Sequence, residues 1–257
     1  VVEKILKEHG KQDVVYSANC MCHIQDIQSA FLSISKTLSS KGVFVFEDPS
    51  LLKMMERGSY DQIYDEHAHI FSIISLRNIL NSVGLEIFRV ENLNVHGGSN
   101  RIFACLSGAR KVEDSVYQNL NLEYIAELDK ERAYFRFSEK VKRSKDQLVN
   151  LLLELKRKNY KIVSYGATSK STTVFNYCQI DSSLIDYIVD TTPDKQGKFS
   201  PGVHIPVLSP ESGFDESVDY AFLGAWNYRN EISEKEKSFL ESRRFITHVP
   251  YVRFIKD

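Results

Sequence analysis

Apolar positions follow two alternating rhythms along this chain. Val14-Val15-Tyr16 is a short apolar run that gives way to Ser17-Ala18-Asn19, as a buried strand does at its end. Between Asp26 and Leu38 the apolar residues fall at Ile27, Ala30, Phe31, Ile34 and Leu38, the spacing of an amphipathic helix. Gly42-Val43-Phe44-Val45-Phe46 is a second strand, apolar on both faces and ended by Glu47-Asp48-Pro49. Strand, helix and strand in such a short span predict a βαβ unit with a parallel pair. Leu76 to Val83 reads as a helix closed by Gly84, and Glu86 to Asn92 and Arg101 to Leu106 as two further strands.

From Ser115 to Lys158 the pattern is charged and free of Gly and Pro, which predicts one or two long, solvated helices acting as a connector. The strand rhythm then resumes. Lys161 to Tyr165 is a strand, Gly166 to Ser171 a turn, and Thr172 to Cys178 the start of a helix. Leu184 to Val189 is a strand ending at Asp190, Tyr220 to Leu223 is another, Glu231 to Leu240 is a helix, and Phe245 to Val249 closes the set. The expected fold class is α/β, a partial Rossmann-like sheet followed by a second Rossmann-like α/β domain. The expected domains are 1–110, a helical connector 111–158, and 159–257.

Composition narrows the classes. A chain of 257 residues, 42% hydrophobic, is long enough for one or two domains with real cores. A net charge of −1 supplies no field for nucleic acid or an anionic membrane. No apolar stretch approaches the roughly 20 residues of a membrane span. Cys20, Cys22, Cys105 and Cys178 make no disulfide framework, and one C-x-C without a second pair makes no zinc site. A reduced, cytoplasmic setting is expected. The chain opens on Val1 in mid-pattern, which predicts a fragment or processed product. The strand at Val14 to Ser17 is then expected to lack a neighbour on one side. Its edge would be covered by the N-terminal helix, another copy of the chain or crystal contacts.

The densest chemistry is Asp61-Gln62-Ile63-Tyr64-Asp65-Glu66-His67, where a phenol, carboxylates and an imidazole crowd into one short segment. Imidazole exchanges protons near neutral pH, a neighbouring carboxylate orients it, and a phenol can hydrogen-bond an enolate. The plainer reading is a polar turn with local capping. His67 and His69 form an H-x-H with no defined third ligand, so no metal is assigned, although a metal-dependent hydrolase is a reading to be tested. His96-Gly97-Gly98-Ser99-Asn100-Arg101, between two predicted strands, is either a hairpin turn or an anion and substrate loop. Asn19 to His23 lies at the carboxyl end of a strand, where open α/β sheets bind ligands. Gly166, Ala167, Thr168, Ser169 and Lys170 join strand to helix and can hold a phosphate, or be an ordinary turn. Asp190 can meet a ribose or cap a helix.

Taken in order, Ser17-Ala18-Asn19 with His23-Ile24, Gly42 to Pro49, Asp61 to His67 and His96 to Ser99 resemble the S-adenosylmethionine-dependent sugar C-methyltransferases. Tyr165 to Lys170, Tyr187 to Asp190, Pro201 to Pro206 and Ala225-Trp226-Asn227 resemble that family's C-terminal domain. The resemblance implies methylation of a carbon beside the ketone of a nucleotide-linked deoxysugar through an enolate. It implies His67 as base, with Tyr64, Glu66 and His23 in the same site and Asn19 toward the cofactor. It also implies nucleotide phosphates on Gly166 to Lys170, with the sugar held between the two halves; His96, Gly97, Gly98 and Arg101 are candidate substrate contacts from their own loop chemistry. The family's N-terminal zinc module, first strands and glycine-rich cofactor loop have no counterpart after Val1. S-adenosylmethionine and zinc are thereby assigned to a longer parent chain. The alternative is a non-catalytic nucleotide-sugar-binding module.

Overall fold

The structure, a computed structural model, describes residues 2–255. They fold as two compact units. The first holds the chain up to Glu56 and Asp65–Arg136; the second holds Arg57–Tyr64 and the chain from Phe137 onward.

In the first unit, α1 (Val2–His9) precedes β1 (Gln12–Ala18), α2 (Ile27–Thr37) and β2 (Leu38–Pro49). Asp26 caps α2, its carboxylate accepting the N–H of Ser29 at 3.1 Å. β1 and β2 pair in parallel, which is the predicted βαβ unit. After α3 (Leu51–Arg57) and α4 (Ile73–Ser82) come β3 (Leu85–Leu93) and β4 (Ser99–Leu106), antiparallel to each other, with β4 also antiparallel to β2. The sheet order is β1-β2-β4-β3. Phe31, Phe44, Phe46, Ile73, Leu76, Leu80 and Ile102 are fully buried around it. β1 is an edge strand, with Val14 66% and Tyr16 61% exposed. α1 packs on α2.

The charged span after β4 is more than a solvated connector. α5 (Asp114–Ile125) buries Val116 and Leu120 in the first core. Its Glu123, 1% exposed, accepts the N–H groups of Ile73 at 2.7 Å and Ile74 at 2.9 Å, capping α4 from a distance. α6 (Glu131–Arg157) buries Val141, Leu148, Leu152 and Leu155 in the second core. The solvated reading failed because apolar positions at helical spacing are interleaved with charges along the whole span and still form a buried face.

The second unit continues with β5 (Ile162–Tyr165), α7 (Ser169–Cys178), β6 (Ile188–Val189) and β7 (Val207–Leu208). α8 (Pro210–Gly213), β8 (Tyr220–Leu223), α9 (Arg229–Lys235), α10 (Lys237–Ser242), β9 (Arg244–Thr247) and β10 (Arg253–Ile255) follow. The sheet order is β10-β9-β8-β5-β6-β7, parallel except for β10. Successive strands run outward from β5 on one side, then restart beside it at β8, so the topological switch point lies between β5 and β8. Gly166 and Gly224 turn the chain there. Gly166 has φ +99°, and a side chain on Gly224 would meet the Gly166 carbonyl at 2.6 Å. Among the described residues no helix is long and apolar enough to cross a membrane.

The segment 57–64 is held in the second unit by buried polar groups. Asp61 is 0% exposed and accepts the indole N–H of Trp226 at 2.6 Å. His248 Nε2 lies 3.3 Å from its other oxygen, near enough for an ion pair but off the line of a hydrogen bond. The Tyr60 hydroxyl meets Cys178 Sγ at 3.4 Å.

Two stability outcomes follow from these buried carboxylates. Asp61→Ala leaves the Trp226 donor unpaired and should cost about 2–3 kcal/mol, read as a lower denaturation midpoint of the second unit; an unchanged midpoint refutes the anchor. Glu123→Ala should cost about 2 kcal/mol through the lost cap. Burial raises the Glu123 carboxyl above its usual range, against the two N–H bonds that lower it. The folded state therefore binds this proton more tightly than the unfolded chain, and its contribution is fully present in acid and fades as pH rises through the raised pKa. The deficit of Glu123→Gln relative to wild type should thus shrink as pH rises from the ordinary carboxyl range through the raised pKa; a growing deficit in thermal melts contradicts this.

Candidate active site

The site in the first unit is built at the carboxyl ends of the parallel strands β1 and β2. Asn19 leaves β1 in the left-handed region, φ 48°, and its N–H is held by the Glu47 carbonyl at 2.8 Å. A short 3₁₀ turn, Met21–His23, then buries Met21 and Cys22 and leaves His23 exposed. Asp48, 1% exposed at the end of β2, accepts the Cys22 N–H at 3.3 Å, and its second oxygen has no hydrogen-bond partner among the described residues. Burial pushes the Asp48 carboxyl up, opposed by its bonds to Cys22 and by His23. The Cys22 thiol is pushed far up, first by burial and then by Asp48.

Two bonds tie this turn to the second half of the Tyr-Asp-Glu-His run. The His69 N–H donates to the Cys22 carbonyl at 3.0 Å, and His23 Nδ1 lies 2.7 Å from the Glu66 carbonyl. A carbonyl only accepts, so Nδ1 carries the proton and Nε2 keeps the lone pair. The His67 ring lies beside it, with centroids 5.2 Å apart and planes tilted by 56°. Ligand atoms of Cys22, His23 and His67 all fall within 4.8 Å of one another. His69 belongs to no such cluster among the described residues: its Nε2 points at the Gln25 carbonyl, 3.3 Å away, and its ring stacks on Phe71. The H-x-H is thus not the local metal-ligating set. The Glu66 side chain is exposed, and the residue contributes its carbonyl to the His23 contact.

The run divides between the units. Asp61 is the structural anchor described above, and Tyr64 lies in the second unit with the Lys170 ammonium 5.5 Å from its ring centroid. Burial lowers the Lys170 pKa, while Asp61 opposes the shift.

His96, Gly97 and Gly98 form the β3–β4 connection with φ of 52°, 90° and 112°. A side chain on Gly98 would meet Lys53 Cβ at 2.7 Å, and the Gly98 carbonyl accepts the Ser50 N–H at 3.1 Å. These glycines let the turn pack onto the start of α3, and His96 is half-buried. The Arg101 guanidinium is engaged by Glu47 at 2.7 Å and Glu91 at 3.2 Å, so two carboxylates already balance the charge expected for an anion.

In the second unit the turn after β5 is shared between two faces. Gly166 and Thr168 line a cavity of about 320 Å³ at the switch point, with Asp190, Thr192, Tyr228 and Lys235. Lys170 is not part of that lining; it faces Tyr64 and Asp61. Several turn N–H groups are already used. Ala167 donates to Asp190 at 2.7 Å, and Thr168 and Ser171 close a reciprocal capping box. The Asp190 carboxyl, which burial alone would push up, is held below its usual range by the N–H groups of Thr192 and Ala167 and by Lys195. Its bonds to the turn give it a bracing role that the ribose reading did not foresee. Ser169 is exposed at the start of α7.

Sequence reasoning missed Asp48 as a member of the first cluster and the Asp61–Trp226–His248 contact. Asp48 carried a signal, a carboxylate ending an apolar strand. The second contact joins positions 165 residues apart and carried none.

A family model described as C-methyltransferase C-terminal domain matches residues 94–250, and one described as methyltransferase domain matches residues 1–90. The chain is 35% identical to the C-methyltransferase NovU of Streptomyces niveus over 257 residues, which is 99% of this chain and 61% of that protein. It thus spans about three fifths of the relative's length. With histidines gathered at the carboxyl ends of a methyltransferase-type sheet and a second α/β unit after it, the chain belongs to the C-methyltransferase family.

Proposed function

We propose that the protein takes part in C-methylation at a carbon beside the ketone of a nucleotide-linked deoxysugar, with His67 as the base. The observation that carries this reading is the His23–His67 pair, with His23 held in one tautomer by the Glu66 carbonyl. A C–H beside a ketone is acidic enough for an imidazole to remove when the developing oxyanion is met by a hydrogen-bond donor. His67 takes that proton. Protonated His23 meets the enolate oxygen. The chain's own carbonyl fixes the His23 ring before substrate arrives, so no reorientation is needed in the reaction.

The methyl donor implied by the family is S-adenosylmethionine, which when bound supplies an electrophilic methyl group for the enolate carbon. The carboxyl end of β1 suits a polar ligand: Ser17 Oγ is buried without a hydrogen-bond partner among the described residues, and Asn19 follows it in a strained turn. Asn19 is the residue of this chain assigned to the donor. For the nucleotide, the reading rests on the switch-point cavity in the second unit, where Gly166, Thr168 and Lys235 face the space, more than on Lys170.

His67→Ala in the longest natural chain should lower kcat for methyl transfer to a keto-deoxysugar nucleotide by about 10²–10⁴-fold, with little change in nucleotide affinity by calorimetry. Full activity would remove His67 from the role of base. Unchanged kcat with lost nucleotide affinity would make it a binding residue.

A further inference from the structure

The cluster of Cys22, His23 and His67 has a donor set that methyl transfer does not require. We propose that these three side chains form a binding site for a thiophilic divalent cation such as Zn²⁺. One thiolate and two imidazoles are a three-ligand set that such ions accept, with a fourth position for water. The three ligand atoms lie within 4.8 Å of one another. Four-coordinate zinc with bonds of about 2.0–2.3 Å holds its ligand atoms about 3.3–3.8 Å apart, so side-chain shifts of about an ångström close the site.

Three features of the surroundings point to a cation. The His23 Nδ1 proton is committed to the Glu66 carbonyl at 2.7 Å, which leaves Nε2 as the ring's lone pair and fixes its direction; this is the outer-shell contact that metal-ligating histidines make. The Cys22 backbone is pinned on both sides, its N–H on Asp48 and its carbonyl on the His69 N–H, so the ligand-bearing turn is rigid. Asp48, 1% exposed, has one oxygen without a hydrogen-bond partner among the described residues. A buried carboxylate in that state favours positive charge beside it. On binding, the Cys22 thiol gives its proton to solvent as the sulfur–metal bond forms, and the imidazoles bind through lone pairs without redox change. An ion held there occupies the lone pair of His67, so, on the methyl-transfer reading, it inhibits the enzyme.

The test uses Co²⁺ as a spectroscopic probe on chelator-treated protein, and does not depend on activity. One equivalent should produce a near-ultraviolet sulfur-to-cobalt charge-transfer band and the visible bands of a four-coordinate ion, both displaced by Zn²⁺. Cys22→Ser should abolish the charge-transfer band, and Cys20→Ser should leave it. Because Cys22 is buried, His23→Ala at an exposed position supplies the second arm, and should weaken binding about 10-fold or more with the circular dichroism unchanged. No charge-transfer band, or a band that survives Cys22→Ser or is unaffected by His23→Ala, overturns the proposal. Those results bear on the metal site alone, since the ion-free protein keeps the His67 lone pair and the role of base does not depend on metal uptake.

Discussion

The hydrogen bond from His23 Nδ1 to the Glu66 carbonyl is the constraint on which the first unit's chemistry depends. It joins the turn after β1 to a segment more than forty residues later, and it decides which nitrogen of the ring is basic. The backbone bond from His69 to the Cys22 carbonyl doubles the tie. Together they bring the His67 ring beside His23 at the carboxyl ends of a parallel pair, the end at which open α/β sheets bind ligands. Neither bond is large in energy, about 1 kcal/mol net each. Their value lies in fixing direction before substrate binds.

The same economy of carboxylates recurs across the molecule. Glu123, Asp61 and Asp190 each spend their oxygens on buried N–H donors: a helix start, an indole and a strand-to-helix turn. These are structural uses, and they sort the acidic residues of the sequence into two groups. Asp48, like Asp61, keeps one buried oxygen without a hydrogen-bond partner among the described residues, but it does so at the carboxyl end of β2, beside the Cys22 turn. Asp48 borders Cys22 and His23.

Most of the fold was legible because its strands are strongly apolar and its turns are marked. The βαβ unit at the start, the β3–β4 pair and the strands β5, β8 and β9 came from periodicity alone. Leu184 to Val189 yielded only Ile188–Val189 as strand, and β7 and β10 were missed because runs of two or three residues carry no period. The span 115–158 reads as solvated because its buried residues, such as Val116 and Leu148, are outnumbered by charges. At the candidate site, His23 and His67 were legible as chemistry, but their pairing rests on a backbone carbonyl that any residue type would supply. Arg101 and Asp190 looked available for ligands in one dimension and are engaged by neighbours in three. Lys170 and Gly166 looked like one phosphate loop, yet the start of α7 turns them toward different surroundings.

Proton removal from a carbon acid by this histidine pair, as proposed, can be tested without the methyl-transfer step. The longest natural chain, incubated in D₂O with a keto-deoxysugar nucleotide and no methyl donor, should exchange the hydrogen on the carbon beside the ketone faster than buffer does, as followed by proton NMR. That exchange should fall to the buffer rate when His67 is replaced. Exchange at the buffer rate with the intact protein, under conditions where the nucleotide sugar is shown to be bound, would contradict the account.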